Sequence, residues 1–199
     1  MAAQLPAPRR RRRPGGRTVV NHAGVFCAEH LDIGTRFFLQ HLPDGSGARR
    51  IVDLGCGNGV VGTSAALTHP DAEILFTDES HQAVASARAT YAANAGDRPG
   101  GAVFQVGDGL AEAEPDSVDL VLNNPPFTRT RRRRTRRRRG CSRRPDAALA
   151  PGGELWVVGA GTSATTSSCA ACSATVNSSR ATKFVVLKAV KRPSRRGGA

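Results

Sequence analysis

Apolar residues fall into short runs that alternate with longer segments of helical period. Residues 51–54, 74–77, 103–106 and 118–122 are brief and aliphatic, the pattern of strands buried on both faces. Between them, 60–67 suits a helix beginning at a glycine cluster. Ser80 is placed to cap another helix through about Asn94, with Ala83, Val84, Ala87 and Tyr91 on one face. Upstream, Val25, Phe26, Leu31, Ile33, Phe37, Phe38 and Leu42 predict a loop leading into a helix, closed by a turn at 43–47. Strands alternating with helices at this spacing predict an α/β fold, a Rossmann-like, mostly parallel sheet with helices on both faces.

The last third departs from the rhythm. Residues 128–146 contain no Leu, Ile, Val, Met or aromatic residue, and 159–182 contain only Val176. Neither stretch can bury enough apolar surface to offset its ordering entropy. Both are expected to be irregular, either disordered or translated out of frame. Around them, 147–153 reads as a helix end and turn, 154–158 as a strand and 184–190 as another. The expected organisation is a disordered Pro/Arg-rich tail over 1–17, one domain over 18–190 and a basic tail over 191–199.

Composition changes this picture in one respect. The net charge of +13 suggests a nucleic-acid partner, but its location matters more than its size. Arginines at 9–13 and 17, and eleven more between 129 and 144, carry the whole excess; the remainder is slightly acidic. No run of 18 apolar residues is present, so no membrane span is expected. Arginines at the start lack a following apolar stretch, which argues against a secretory signal. The five cysteines form no disulfide framework, and the C-x-x-C of Cys169 and Cys172 stands without a second pair or a nearby histidine. The five histidines are scattered without ligand spacing, so no metal site is expected. A reducing, cytoplasmic setting is the expectation.

The candidate chemistry sits at the ends of the predicted strands, where open α/β sheets bind ligands. After the first comes Asp53-Leu54-Gly55-Cys56-Gly57-Asn58-Gly59, whose alternate glycines let backbone turn tightly and lie against a ligand. Residues 57–62 also match G-x-G-x-x-G, the dinucleotide fingerprint, but Gly55 with Asp53 better suits a methionine-type ligand. Asp78, ending the second strand, suits ribose hydroxyls. Asp108, in a Gly-Asp-Gly after the third, is read either as an adenine contact or as a plain turn. After the fourth comes Asn123-Asn124-Pro125-Pro126-Phe127. Its prolines stiffen the backbone. The amide oxygen of Asn124 and the carbonyl of Pro125 can then hold the two hydrogens of an exocyclic amine and aim its lone pair. Phe127 offers a face on which an extruded base can stack.

Together the D-L-G-C-G-N-G and N-P-P-F motifs resemble class I S-adenosylmethionine-dependent methyltransferases that modify nitrogen. Residues 21–26, 31–38, 78–80 and 183–190 extend the likeness to bacterial ribosomal RNA guanine-N2 methyltransferases, the large-subunit enzyme more than its small-subunit relative. Coverage is nearly continuous from Val20 to Phe127. The resemblance implies a seven-stranded sheet with an antiparallel last strand, S-adenosylmethionine as cofactor and ribosomal RNA as partner. By motif position, Asp53, Gly55, Cys56, Gly57, Gly59, Asp78 and Asp108 would bind the cofactor. Residues 31–35, including Gly34 and Thr35, would lie near its methionine end. Asn124, Pro125 and Phe127 would hold the base. Adenine-N6 and protein-glutamine methyltransferases use related motifs and remain alternatives, as does an inactive, basic RNA-binding remnant.

Overall fold

A computed structural model describes residues 9–12, 16–22, 31–44, 47–107, 109–111, 113–125, 145–160, 172–178 and 184–192. Its centre is a seven-stranded sheet. The strands are β3 (Arg50–Leu54), β4 (Glu73–Asp78), β5 (Ala102–Val106), β6 (Val118–Asn123), β7 (Leu149–Ala160), β8 (Cys172–Ser178) and β9 (Phe184–Lys191), in the order β5-β4-β3-β6-β7-β9-β8. The five from β5 to β7 are parallel, and β9 runs antiparallel to both β7 and β8. The antiparallel last strand implied by the resemblance is therefore present.

One face of the sheet carries the main core. Ile51, Ile74, Phe76, Leu120, Leu122, Trp156 and Val158 meet helices α1 (Ile33–Leu39), α2 (Val60–Thr68) and α3 (His81–Ala95) there. Phe38 and Phe76 are fully buried, worth about 1.5–3 kcal/mol each relative to exposure. Phe76 stacks on Phe104 and meets the edge of Tyr91. Ser80 caps α3 as its position predicted, accepting from the Ala83 N–H. The buried face of that helix includes Ala83, Val84, Ala87 and Tyr91.

The other face carries a helix too, as expected. Among the described residues, Val52, Val121 and Leu155 are closed over by Leu110 in the loop after β5 and by Ala148 of α4 (Pro145–Ala148), with Val103 of β5 left 45% exposed.

Three expectations are corrected. Arg9–Arg12 forms β1, paired antiparallel with β2 (Thr18–Asn21), inside the tail expected to be disordered. Within the segment expected to be irregular, β7 continues to Ala160 and β8 joins the sheet edge. For β1 and β8 the physical cause is the same: a strand added at an edge is held by backbone hydrogen bonds and needs few apolar side chains. Finally, of the helix end and turn expected at 147–153, the helix end is present, α4 closing at Ala148, whereas the turn is a bulge within β7, where the register against β6 shifts and Gly152 takes a φ of 83°. The arginine tract at 129–144 lies outside the described residues.

Candidate active site

Parallel pairing of β3 with β6 places Leu54 opposite Asn123. The glycine loop and the N-P-P segment, about 70 residues apart in sequence, therefore emerge side by side at the carboxyl ends of adjacent strands. They share a cavity of about 580 Å³, lined also by Leu31, Asp32, Thr35, Thr77, Asp78, Glu79, Gly107 and Gly109. That volume is in the range of small-molecule sites.

The loop is built by its backbone. Gly55, Gly57 and Gly59 have φ of 70°, 53° and 73°, a region that non-glycine residues enter only at a cost. At Gly55 and Gly57 an added Cβ would meet no other part of the chain, so the dihedral angle is what demands glycine. Gly59 caps α2 and faces α3, where a Cβ would lie 2.6 Å from the Ala87 Cα. The N–H groups of Gly55 and Cys56 both reach the Thr77 carbonyl at the end of β4. Asp78 Oδ2 accepts from Gly57 N–H at 3.1 Å, and its Oδ1 from Ser80 N–H at 2.9 Å. Asp78 thus holds the loop and still lines the cavity.

Asp53 accepts from the Gly62 N–H at 2.8 Å. Burial pushes its carboxyl up to about 7, partly opposed by that hydrogen bond and assisted by the nearby charge of Asp78. Cys56 also lines the cavity, and burial, with Asp53 and Asp78 adding to it, drives its thiol well above the usual range. It is a wall residue rather than a nucleophile.

Asn124 has a more specific setting. Its Nδ2 donates to Thr35 Oγ1 at 2.7 Å. Thr35 Oγ1 in turn donates to Asp32 Oδ2 at 2.7 Å, and Thr35 N–H donates to Asp32 Oδ1 at 2.8 Å. Asp32 is the N-cap of α1, so the helix start is tied to the end of β6. Among the described residues, Asn124 Oδ1 is buried and has no hydrogen-bond partner. An acceptor left in that state costs about 1–3 kcal/mol, and such groups are characteristic of functional sites.

The structure thus brings Asp53, Gly55, Cys56, Gly57, Asp78, Thr35, Asn124 and Pro125 to one cavity. Gly34 is buried within α1 and Gly59 packs against α3, so neither is among the lining residues. Asp108 and Phe127 lie outside the described residues. Two participants were given no role of their own from sequence. Asp32 fell within the 31–35 stretch, and its capping role was legible as an Asp three positions before a Thr at a helix start. Asn58, whose Nδ2 donates to the buried Asn21 Oδ1 at 3.0 Å, was not, because that partner is 37 positions away. No group of three or more His, Cys, Asp or Glu residues that could hold a metal ion occurs among the described residues. No helix there is long and apolar enough to cross a membrane.

Comparisons with known proteins show the family and the fold. Residues 16–188 match the family described as Methyltransferase small domain. A Streptomyces coelicolor protein named Ribosomal RNA large subunit methyltransferase G is 63% identical over 151 residues, covering 74% of this chain and 38% of that protein. A protein of the same name from Pseudomonas paraeruginosa is 49% identical over 164 residues, covering 79% of this chain and 43% of its own length. The chain therefore spans about two-fifths of the length of these relatives. Among solved structures, a T. thermophilus 16S rRNA N2 methyltransferase (RsmC), in complex with AdoMet and guanosine, superposes with a TM-score of 0.73 at 22% identity. That match covers 96% of this chain and 52% of that one. With its parallel sheet, its glycine turn and a family match over most of its length, the chain belongs to the methyltransferase small domain family.

Proposed function

We propose that this chain takes part in transferring a methyl group from S-adenosylmethionine to an exocyclic amine, N2 of a guanine in large-subunit ribosomal RNA. The observation that carries the reading is Asn124, which lines the cavity together with the glycine loop and whose Oδ1 is buried without a hydrogen-bond partner among the described residues. An amine hydrogen is the partner that this oxygen lacks.

The residues present suit the cofactor. Left-handed glycines bring backbone to the cavity wall, and Asp53 and Asp78 line it, carboxyl acceptors matched to a cationic amino-acid end and to ribose hydroxyls. When bound, the sulfonium supplies an electrophilic methyl group. The amine of guanine is a poor nucleophile because its lone pair is delocalised into the ring. Asn124 Oδ1 and the Pro125 carbonyl would each accept one of its hydrogens, favouring a pyramidal nitrogen and aiming the lone pair. Orientation of this kind accounts for much of the barrier in an in-line displacement. Phe127 is assigned to stacking the base.

Ribosomal RNA is favoured over protein glutamine by the names of the relatives, guanine over adenine by the guanosine bound in the RsmC structure, and an RNA substrate of this kind suits a cytoplasmic setting. The test is a methyl-transfer assay on the purified chain with unmodified ribosomal RNA, alongside calorimetry with S-adenosylmethionine. Asn124→Ala should lower kcat on the order of 100-fold while leaving cofactor affinity nearly intact. Asp78→Ala should abolish measurable cofactor binding. An active Asn124→Ala variant refutes the assignment.

A second reading, an inactive protein that binds RNA through its arginines, is favoured by the net charge of +13. It predicts RNA affinity that collapses with salt and is indifferent to both substitutions.

A further inference from the structure

Asn124 has two faces. Turned about its last side-chain torsion, the amide presents either an oxygen or an NH2 group to the cavity, and only the oxygen suits an amine substrate. Three hydrogen bonds resolve the choice.

Asp32 offers only lone pairs when ionised. Its Oδ1 takes the Thr35 N–H and its Oδ2 takes the Thr35 hydroxyl. The single proton of that hydroxyl is thereby committed to Asp32. What Thr35 Oγ1 has left to offer Asn124 is a lone pair, so Asn124 must turn its NH2 toward Thr35, and it does so at 2.7 Å. The amide oxygen is then the one end of the side chain left over, and it is the atom found buried without a partner among the described residues. The opposite flip would set two lone pairs against each other. Helix capping explains the bond from Thr35 N–H. It does not explain the hydroxyl bond, the reach across to β6, or the oxygen left unsatisfied.

We propose that Asp32 and Thr35 are positioning residues. They fix the direction of the hydrogen bonds running from α1 to β6, and so make Asn124 Oδ1 an obligatory acceptor for the substrate amine. This rests on the reading of Asn124 as the group that receives that amine.

The experiment inverts the direction without changing shape. Asp32→Asn can still cap α1, since Asn and Asp are nearly equal as N-caps. Its NH2 now faces Thr35 Oγ1, whose proton turns toward Asn124, and the Asn124 oxygen turns away from the cavity to receive it. In the full chain, with S-adenosylmethionine and unmodified ribosomal RNA, kcat should fall about 100-fold. Calorimetric affinity for S-adenosylmethionine should stay within about threefold, a difference of under about 1 kcal/mol. Thr35→Val should lose activity comparably, and Thr35→Ser, which keeps the hydroxyl, should restore most of it. An Asp32→Asn variant with wild-type kcat overturns the proposal. So does a loss of kcat matched by an equal loss of cofactor affinity, which is the mark of a merely structural role.

A readout independent of activity is the Asn124 side-chain NH2 in a 15N-labelled sample. Its protons should exchange slowly in the wild type and in Thr35→Ser, and rapidly in Thr35→Val. Rapid exchange in the wild type also overturns the proposal. If the wild type transfers no methyl group, the reading of the site fails, and the exchange measurement still decides the hydrogen-bond direction.

Discussion

Gly62 sits where α2 comes closest to the sheet. A Cβ added there would lie 2.5 Å from Phe76 Cε1 and 2.8 Å from Asp53 Oδ2. Phe76 is fully buried and stacked on Phe104, so it has little room to yield. Alanine is the better helix former by about 1 kcal/mol, but overpacking typically costs about 1–3 kcal/mol. Gly62→Ala should therefore lower stability in a denaturant melt, and a net gain would contradict the contact. The same residue completes the G-x-G-x-x-G match at 57–62. Its task in this fold is close packing and donation to Asp53, neither of which requires a dinucleotide.

At the scale of elements, β2 is held chiefly by a helix. Ser86, Thr90 and Asn94 recur once per turn along α3. They bond the backbone of His22, Val20 and Thr18 in turn, Asn94 and Thr90 each both accepting an N–H and donating to a C=O. The match is geometric. Two strand residues advance about 6.6 Å and four helical residues about 6 Å, so the two repeats stay nearly in step. Thr90→Val would leave both backbone groups of the buried Val20 without that partner, at a cost of about 1–3 kcal/mol. The expected outcome is a lower unfolding midpoint together with faster hydrogen exchange at the Val20 amide. Weaker binding of S-adenosylmethionine should accompany it, because the neighbouring Asn21 holds Asn58 of the glycine loop. Unchanged exchange at Val20 would show that α3 does not hold the strand. Sequence periodicity missed β2 because it looks for apolar alternation, whereas this strand is recognised by polar side chains about 70 positions away.

At the scale of the molecule, burial of Asp53 ties stability to pH. Its carboxyl rises from an ordinary 3.8 to about 7, so folding favours the protonated form. The resulting stabilisation is fully present below pH 3.8 and is lost as pH rises through 7. At about 1.36 kcal/mol per unit, the loss is on the order of 4 kcal/mol. Asp53→Asn, neutral at every pH, should gain on the cofactor-free wild type across this window, as read from denaturant unfolding between pH 4 and 8. A constant difference between the two proteins would mean that Asp53 is not buried as described.

The alternation of strands and helices, the Ser80 cap and the glycine turn could be read from residues close to one another, because hydrophobic period and dihedral preference are local properties. The strand order could not, nor could the edge strand β8, since backbone pairing carries little side-chain signature. The bond between Thr35 and Asn124 spans 89 positions. Both ends stood in the sequence as candidates, but with separate duties assigned to them. Which end of the Asn124 amide is left without a partner depends on three side chains meeting between α1 and the end of β6, and such a meeting exists only once the chain has folded.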